Sequence, residues 1–140
     1  MGRRTVHLDL ALGPILVVGA AGVEALHLAV EVSEDGDRVH RCALVLEGAH
    51  RELAVRRHSH LLAELAEARR GRRADGWVEA SVVQRRLDLS TSLLHLYTHR
   101  ARAQVRKAGL PEGHDVIEVR GERGARQLRL GVAARVIARS

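Results

Sequence analysis

The sequence predicts an α+β fold, on three observations. Residues 5–55 fall into short runs that alternate apolar and polar side chains, separated by Gly, Pro and Asp turns. Residues 60–108 switch to helical spacing in three segments, the last one long and basic. Residues 116–130 return to alternation in two runs around Gly121-Glu122-Arg123-Gly124. A period of two buries one face of a strand, and a period near 3.6 buries one stripe of a helix.

Residues 1–4, Met-Gly-Arg-Arg, read as a basic tail. Thr5–Leu12 sets Val6, Leu8, Leu10 and Leu12 against Thr5, His7, Asp9 and Ala11, a half-buried strand that Gly13-Pro14 ends. Ile15–Val18 is a short apolar strand, and Gly19 to Gly22 turns the chain. Ala25–Val32 points Leu26, Leu28, Val30 and Val32 inward. Glu34-Asp35-Gly36-Asp37 then predicts a hairpin turn into Val39–Leu46. Glu47-Gly48 turns again into Arg51–Val55. Residues 1–56 thus predict an antiparallel sheet of four or five strands, with Cys42 as a small buried residue.

Ser59 is placed to cap a helix from His60 to about Arg70, with Leu61, Leu62, Leu65 and Ala68 or Arg69 inside. Arg69-Arg70-Gly71-Arg72-Arg73 reads equally as a phosphate-contacting loop or a charged connector. Asp75-Gly76 turns into Trp77, a packing anchor. A helix over about Glu79–Leu87 buries Val82, Val83 and Leu87, with Val78 just ahead of it also inward. Only Asp88 and Leu89 precede the Ser90 cap of helix 90–108, so the two helices cross sharply, as in a helix-turn-helix. Leu94, Ala101, Val105 and Ala108 form its buried stripe, with Tyr97 or Thr98 between. His95, His99, Arg102 and Arg106 follow helical spacing on another face, flanked by Arg100 and Lys107. Gly109 and Pro111 stop the helix. In the hairpin over 116–131, Ile117, Val119, Leu128 and Leu130 face inward, and Arg120, Arg123 and Arg126 make its outer face and tip basic. Ala133–Ile137 reads as a last strand or a turn of helix.

The net charge of +6 hides an asymmetry. Residues 1–55 carry five arginines and eight acids, a net of −3, whereas residues 56–140 carry 18 basic residues and nine acids, a net of +9. A basic segment of this kind is the electrostatic footprint of nucleic-acid binding, or else a solvated arginine-rich surface. The single cysteine excludes an intramolecular disulfide. No stretch has membrane-span length or a signal-peptide pattern, so a cytoplasmic, nucleoid-associated protein without a membrane partner is expected. Val17-Val18-Gly19-Ala20-Ala21-Gly22 lacks the full dinucleotide-binding pattern. His58/His60 and His95/His99 offer pairs but no third metal ligand, and no catalytic constellation stands out. The expectation is no enzyme, no cofactor and no metal.

Thr98-His99-Arg100-Ala101-Arg102-Ala103-Gln104-Val105 is similar to the recognition helix of OmpR-type response regulators. Ile117-Glu118-Val119-Arg120-Gly121 followed by Arg126-Gln127-Leu128-Arg129-Leu130 is similar to their wing. With Gly76-Trp77-Val78, the order over about Leu53–Val132 most resembles the winged helix that follows forkhead-associated domains in bacterial proteins. Thr98 stands where that family usually carries an apolar residue. The resemblance implies an N-terminal sheet region (1–56) and a winged helix-turn-helix (57–140) with recognition helix 90–108 and wing 116–131. It implies a sequence-specific double-stranded DNA-binding protein, a bacterial transcriptional regulator. His95, His99 and Arg102 would face bases, Arg100, Arg106 and Lys107 would hold phosphates, and Arg120, Arg123 and Arg126 would reach the minor groove or backbone. The alternatives are a winged-helix adaptor whose N-terminal sheet carries the protein-partner surface, and a non-specific architectural DNA binder. A homodimer is the default for a single-module DNA binder.

Overall fold

The structure, a computed structural model, describes residues 3–8, 15–19, 22–70 and 75–139. The expected continuation of the first strand over 9–12, the Gly13-Pro14 break, Ala20-Ala21 of the next turn and the 71–73 part of the arginine-rich loop lie outside the described residues.

Five strands precede the first helix: β1 (Arg3–Leu8), β2 (Ile15–Gly19), β3 (Gly22–Ser33), β4 (Val39–Leu46) and β5 (Ala49–Leu53). The turns between β3, β4 and β5 are set locally. Ser33 Oγ accepts from the Arg38 amide at 3.0 Å, and the Asp35 carboxylate accepts from the Asp37 amide at 3.0 Å. The Ser33 hydroxyl bond, then the Asp37 amide, holds the Asp35 carboxyl below its ordinary range. Glu47 and Gly48 both take positive φ, +52° and +77°, the backbone that a two-residue hairpin turn requires.

The chain then forms α1 (Ser59–Arg70), β6 (Val78–Glu79), α2 (Ala80–Leu87), α3 (Thr91–Lys107), β7 (Ile117–Arg120), β8 (Gln127–Leu130) and β9 (Ala133–Arg139). The principal sheet runs β1-β9-β3-β4-β5, with β2 paired to the first part of β3. β9 lies antiparallel to β1 but parallel to β3, from His27↔Ala133 to Ser33↔Arg139. The expectation of a wholly antiparallel sheet built before the first helix is therefore corrected: the sheet is mixed, and a strand from the chain's far end lies inside it. The physical reason is two-sided burial. Ala134 and Val136 join the helix-side core, while Ala133 and Ile137 are buried on the other face, so β9 shows little apolar–polar alternation.

The core is continuous across the boundary expected at residue 56. Leu28, Val30 and Leu44 of the sheet, Leu61, Leu62 and Leu65 of α1, Leu94, Ala101 and Val105 of α3, and Ile117 and Leu130 of β7 and β8 belong to one buried cluster. Glu31 on β3 is buried to 3% exposure and paired with the Arg41 guanidinium at 3.2 Å. Arg41 also bonds Glu52, which holds the Glu52 carboxyl below its ordinary range. Burial pushes the Cys42 thiol up to about 12, which leaves it an inert packing group.

Several local expectations shift: β1 begins at Arg3, inside the expected basic tail, and Val119, expected inward, is 43% exposed. Ser59 is the first residue of α1 rather than its cap, and its hydroxyl accepts the Arg56 amide at 2.8 Å. Two-residue β6 went unforeseen: it pairs Val78 with Leu128, making the three-stranded sheet β6-β8-β7. No helix among the described residues is long and apolar enough to cross a membrane.

Candidate nucleic-acid interface

α3 is capped at both ends by its own sequence. Ser90 Oγ accepts the Leu93 amide at 3.1 Å, satisfying one of the orphan donors of the first turn. At the other end the Gly109 amide bonds Arg106 O at 3.0 Å and the Leu110 amide bonds Val105 O at 3.3 Å. That is a Schellman closure, with Gly109 at φ +112° and buried Leu110 completing it. The inner face buries Leu94, Tyr97, Thr98, Ala101 and Val105. Thr98 is accommodated because its hydroxyl donates to Leu94 O at 2.8 Å, so no polar hydrogen is stranded in the core.

Two crosslinks hold α3 in place. Gln104 bonds His58 Nε2 at 2.7 Å and donates to Ala54 O at 2.9 Å, which ties the helix to the segment leading into α1. Arg102 donates from Nε and Nη2 to Ile117 O at 3.0 and 2.8 Å, which ties it to β7. The β8 end is fixed by close approach: a side chain at Gly131 would meet Asp115 O at 1.9 Å, a contact only glycine avoids.

These constraints leave a groove lined by α3, the β7–β8 hairpin and the start of α2. His95, His99 and Arg102 line it from α3, and Arg123 and Arg126 line it from the hairpin. Glu79 and Gln84 contribute from β6 and α2, and Leu94 and Val119 add apolar surface. Across the groove, Arg126 Nη1 lies 3.3 Å from His95 Nε2. A guanidinium can only donate, so the imidazole nitrogen accepts there.

The nine basic residues singled out in the sequence separate into two groups. Arg102 is half-buried and bound to Ile117 O, Arg106 pairs with Asp115 at 3.3 Å, and Arg126 meets His95. Arg120 donates to Gln127 Oε1 at 2.7 Å and lies over the Trp77 ring at 4.1 Å. By contrast Arg100, Lys107 and Arg123 are exposed and make no hydrogen bond or ion pair among the described residues. His99 is exposed beside them. The nine do not form a single cluster: five line the groove, while Arg100, Arg106, Lys107 and Arg120 are not among its lining residues.

Two features escaped sequence reasoning. Trp77 is only half-buried, and Arg129 as well as Arg120 lies over its ring, at 4.5 Å. The second feature is apolar exposure: Leu93 and Leu96 on α3 are 39% and 38% exposed. Helical spacing could have shown both leucines off the buried stripe. The Arg–Trp stacking depends on strand register, which no local pattern gives. The chain matches no known protein family, no curated protein and no solved structure.

Proposed function

We propose that this chain is a sequence-specific double-stranded DNA-binding protein of winged-helix type, a bacterial transcriptional regulator with α3 as recognition helix and β7–β8 as wing. The observation that supports it is the pairing of a capped helix with a basic hairpin across one groove, with the unpartnered Arg123 lining it from the hairpin and Arg100 and Lys107 exposed elsewhere on the same helix. An α-helix fits the DNA major groove, and a neighbouring basic hairpin can follow the phosphate backbone. The +9 balance of residues 56–140 supports the same reading.

On this reading the cations take different roles from those the sequence alone suggested. Arg100, Lys107 and Arg123 are the groups free to meet phosphates or base edges. Arg102 and Arg106 act first as braces that hold the helix against β7 and the loop before it. Selection from a pool of randomised duplexes tests specificity. A recurrent enriched motif is expected. A flat pool that still binds would mean an architectural DNA binder.

One observation favours a second reading, a protein-interaction module. Leu93 and Leu96 give α3 an apolar outward face, and internal partners occupy Arg102, Arg106 and Arg120. A folded protein that binds no duplex would bear this out.

A further inference from the structure

The outward face of α3 carries a pattern that the basic residues alone do not explain. Leu93, Leu96, Arg100, Ala103 and Lys107 recur at steps of three and four, and all five are exposed. That spacing aligns them along one stripe, turned away from the buried stripe of Leu94, Tyr97, Ala101 and Val105. The stripe interleaves three apolar side chains with two cations that have no partner among the described residues.

A symmetric helix pair is a poor occupant of this stripe. Two copies would bring Arg100 and Lys107 against a stripe whose only charges are cations, and like charges across a helix seam repel. The charge instead calls for an anionic surface that also offers apolar bumps at the right depth. Duplex DNA does so at one base only: in the major groove the thymine C5-methyl is the apolar group among hydrogen-bonding edges.

We propose that Leu96, with Leu93 one turn before it, reads thymine methyl groups in the major groove, while Arg100 reads a guanine nearby; this rests on the DNA-binding reading above. Hydrocarbon placed over a guanine, cytosine or adenine edge would strand that edge's polar atoms, so the leucine discriminates by exclusion as well as contact. Arg100 can donate two bonds to guanine O6 and N7. Four residues of helix rise about 6 Å, and base pairs stack about 3.4 Å apart. The site therefore holds a thymine and a guanine about two base pairs apart.

The test replaces each thymine of a selected duplex, one at a time, with uracil, which loses the methyl and keeps O4. Wild type should bind about fourfold more weakly at one or two positions, the factor for one methyl-sized apolar group returned to water. Leu96→Ala should bind the thymine and uracil duplexes equally at one of these positions, with its thermal melt unchanged because the residue lies outside the core. Equal wild-type affinity for every uracil duplex, or a Leu96→Ala variant that keeps the difference at every position, overturns the inference and leaves DNA binding intact. If no duplex binds even at about 0.05 M salt, the DNA-binding reading itself fails, and this inference with it. A partner protein with an acidic, apolar surface would then be the occupant.

Discussion

Arginines of similar appearance in the sequence hold different positions in the fold. Arg102 spends its charge on the Ile117 carbonyl from a half-buried site, whereas Arg100 stands free in solvent two residues earlier. Arg102→Ala should therefore lower unfolding free energy by about 1.5 kcal/mol, typical of a bond to a charged group. Arg100→Ala should leave the urea midpoint unchanged. Helical periodicity placed both side chains off the core, but the acceptor for Arg102 comes from fifteen residues on in the chain, so its bracing role was not legible. At the sheet, Arg41 lowers the Glu52 carboxyl and the Ser33 hydroxyl lowers Asp35. Each then adds stability above its unfolded value, 4.5 or 3.8, that is lost as pH falls through the lower folded value. The melting temperature should fall below about pH 4.5, and Glu52→Gln should make that fall shallower.

At the scale of elements, the best-anticipated segment was the one whose signals are local. The Ser90 cap, the buried stripe and the Gly109 stop of α3 all lie within its own twenty residues, and the expected span of 90–108 holds Thr91–Lys107 between its caps. Ser90→Ala should lower stability by about 1 kcal/mol, read as a shift in the denaturant midpoint, without altering the outward face. The hairpin turns of the principal sheet were legible for the same reason. β6 was not, because a two-residue strand has no period of its own and exists only through its pairing with β8. β6 and α2 also line the groove, and the sequence named its five basic lining residues but not Glu79 or Gln84.

For the molecule as a whole, β9 is decisive. It separates β1 from β3 and pairs with both, so the last strand completes a sheet begun by the first residues. Long-range pairing of this kind leaves no local trace in sequence. Removing residues 133–140 should expose two strand edges and the core beneath them, and the truncated chain should lose its cooperative thermal transition in circular dichroism. The charge asymmetry, by contrast, was legible from composition alone, whereas the places of its unpaired members on α3 and the hairpin were not.

The most direct measurement is the affinity for random duplex DNA as a function of salt, for wild type and for the Arg100→Ala/Lys107→Ala/Arg123→Ala variant. These three side chains have no partner among the described residues, so the variant should fold as wild type does. Wild type should show a steep fall of log affinity with log salt. The variant should bind more weakly, with a slope smaller by about 2.7, the value for three lost phosphate contacts. A wild-type protein that does not bind duplex, or a variant with unchanged affinity and slope, would contradict the assignment of α3 and the β7–β8 hairpin as a DNA-binding surface.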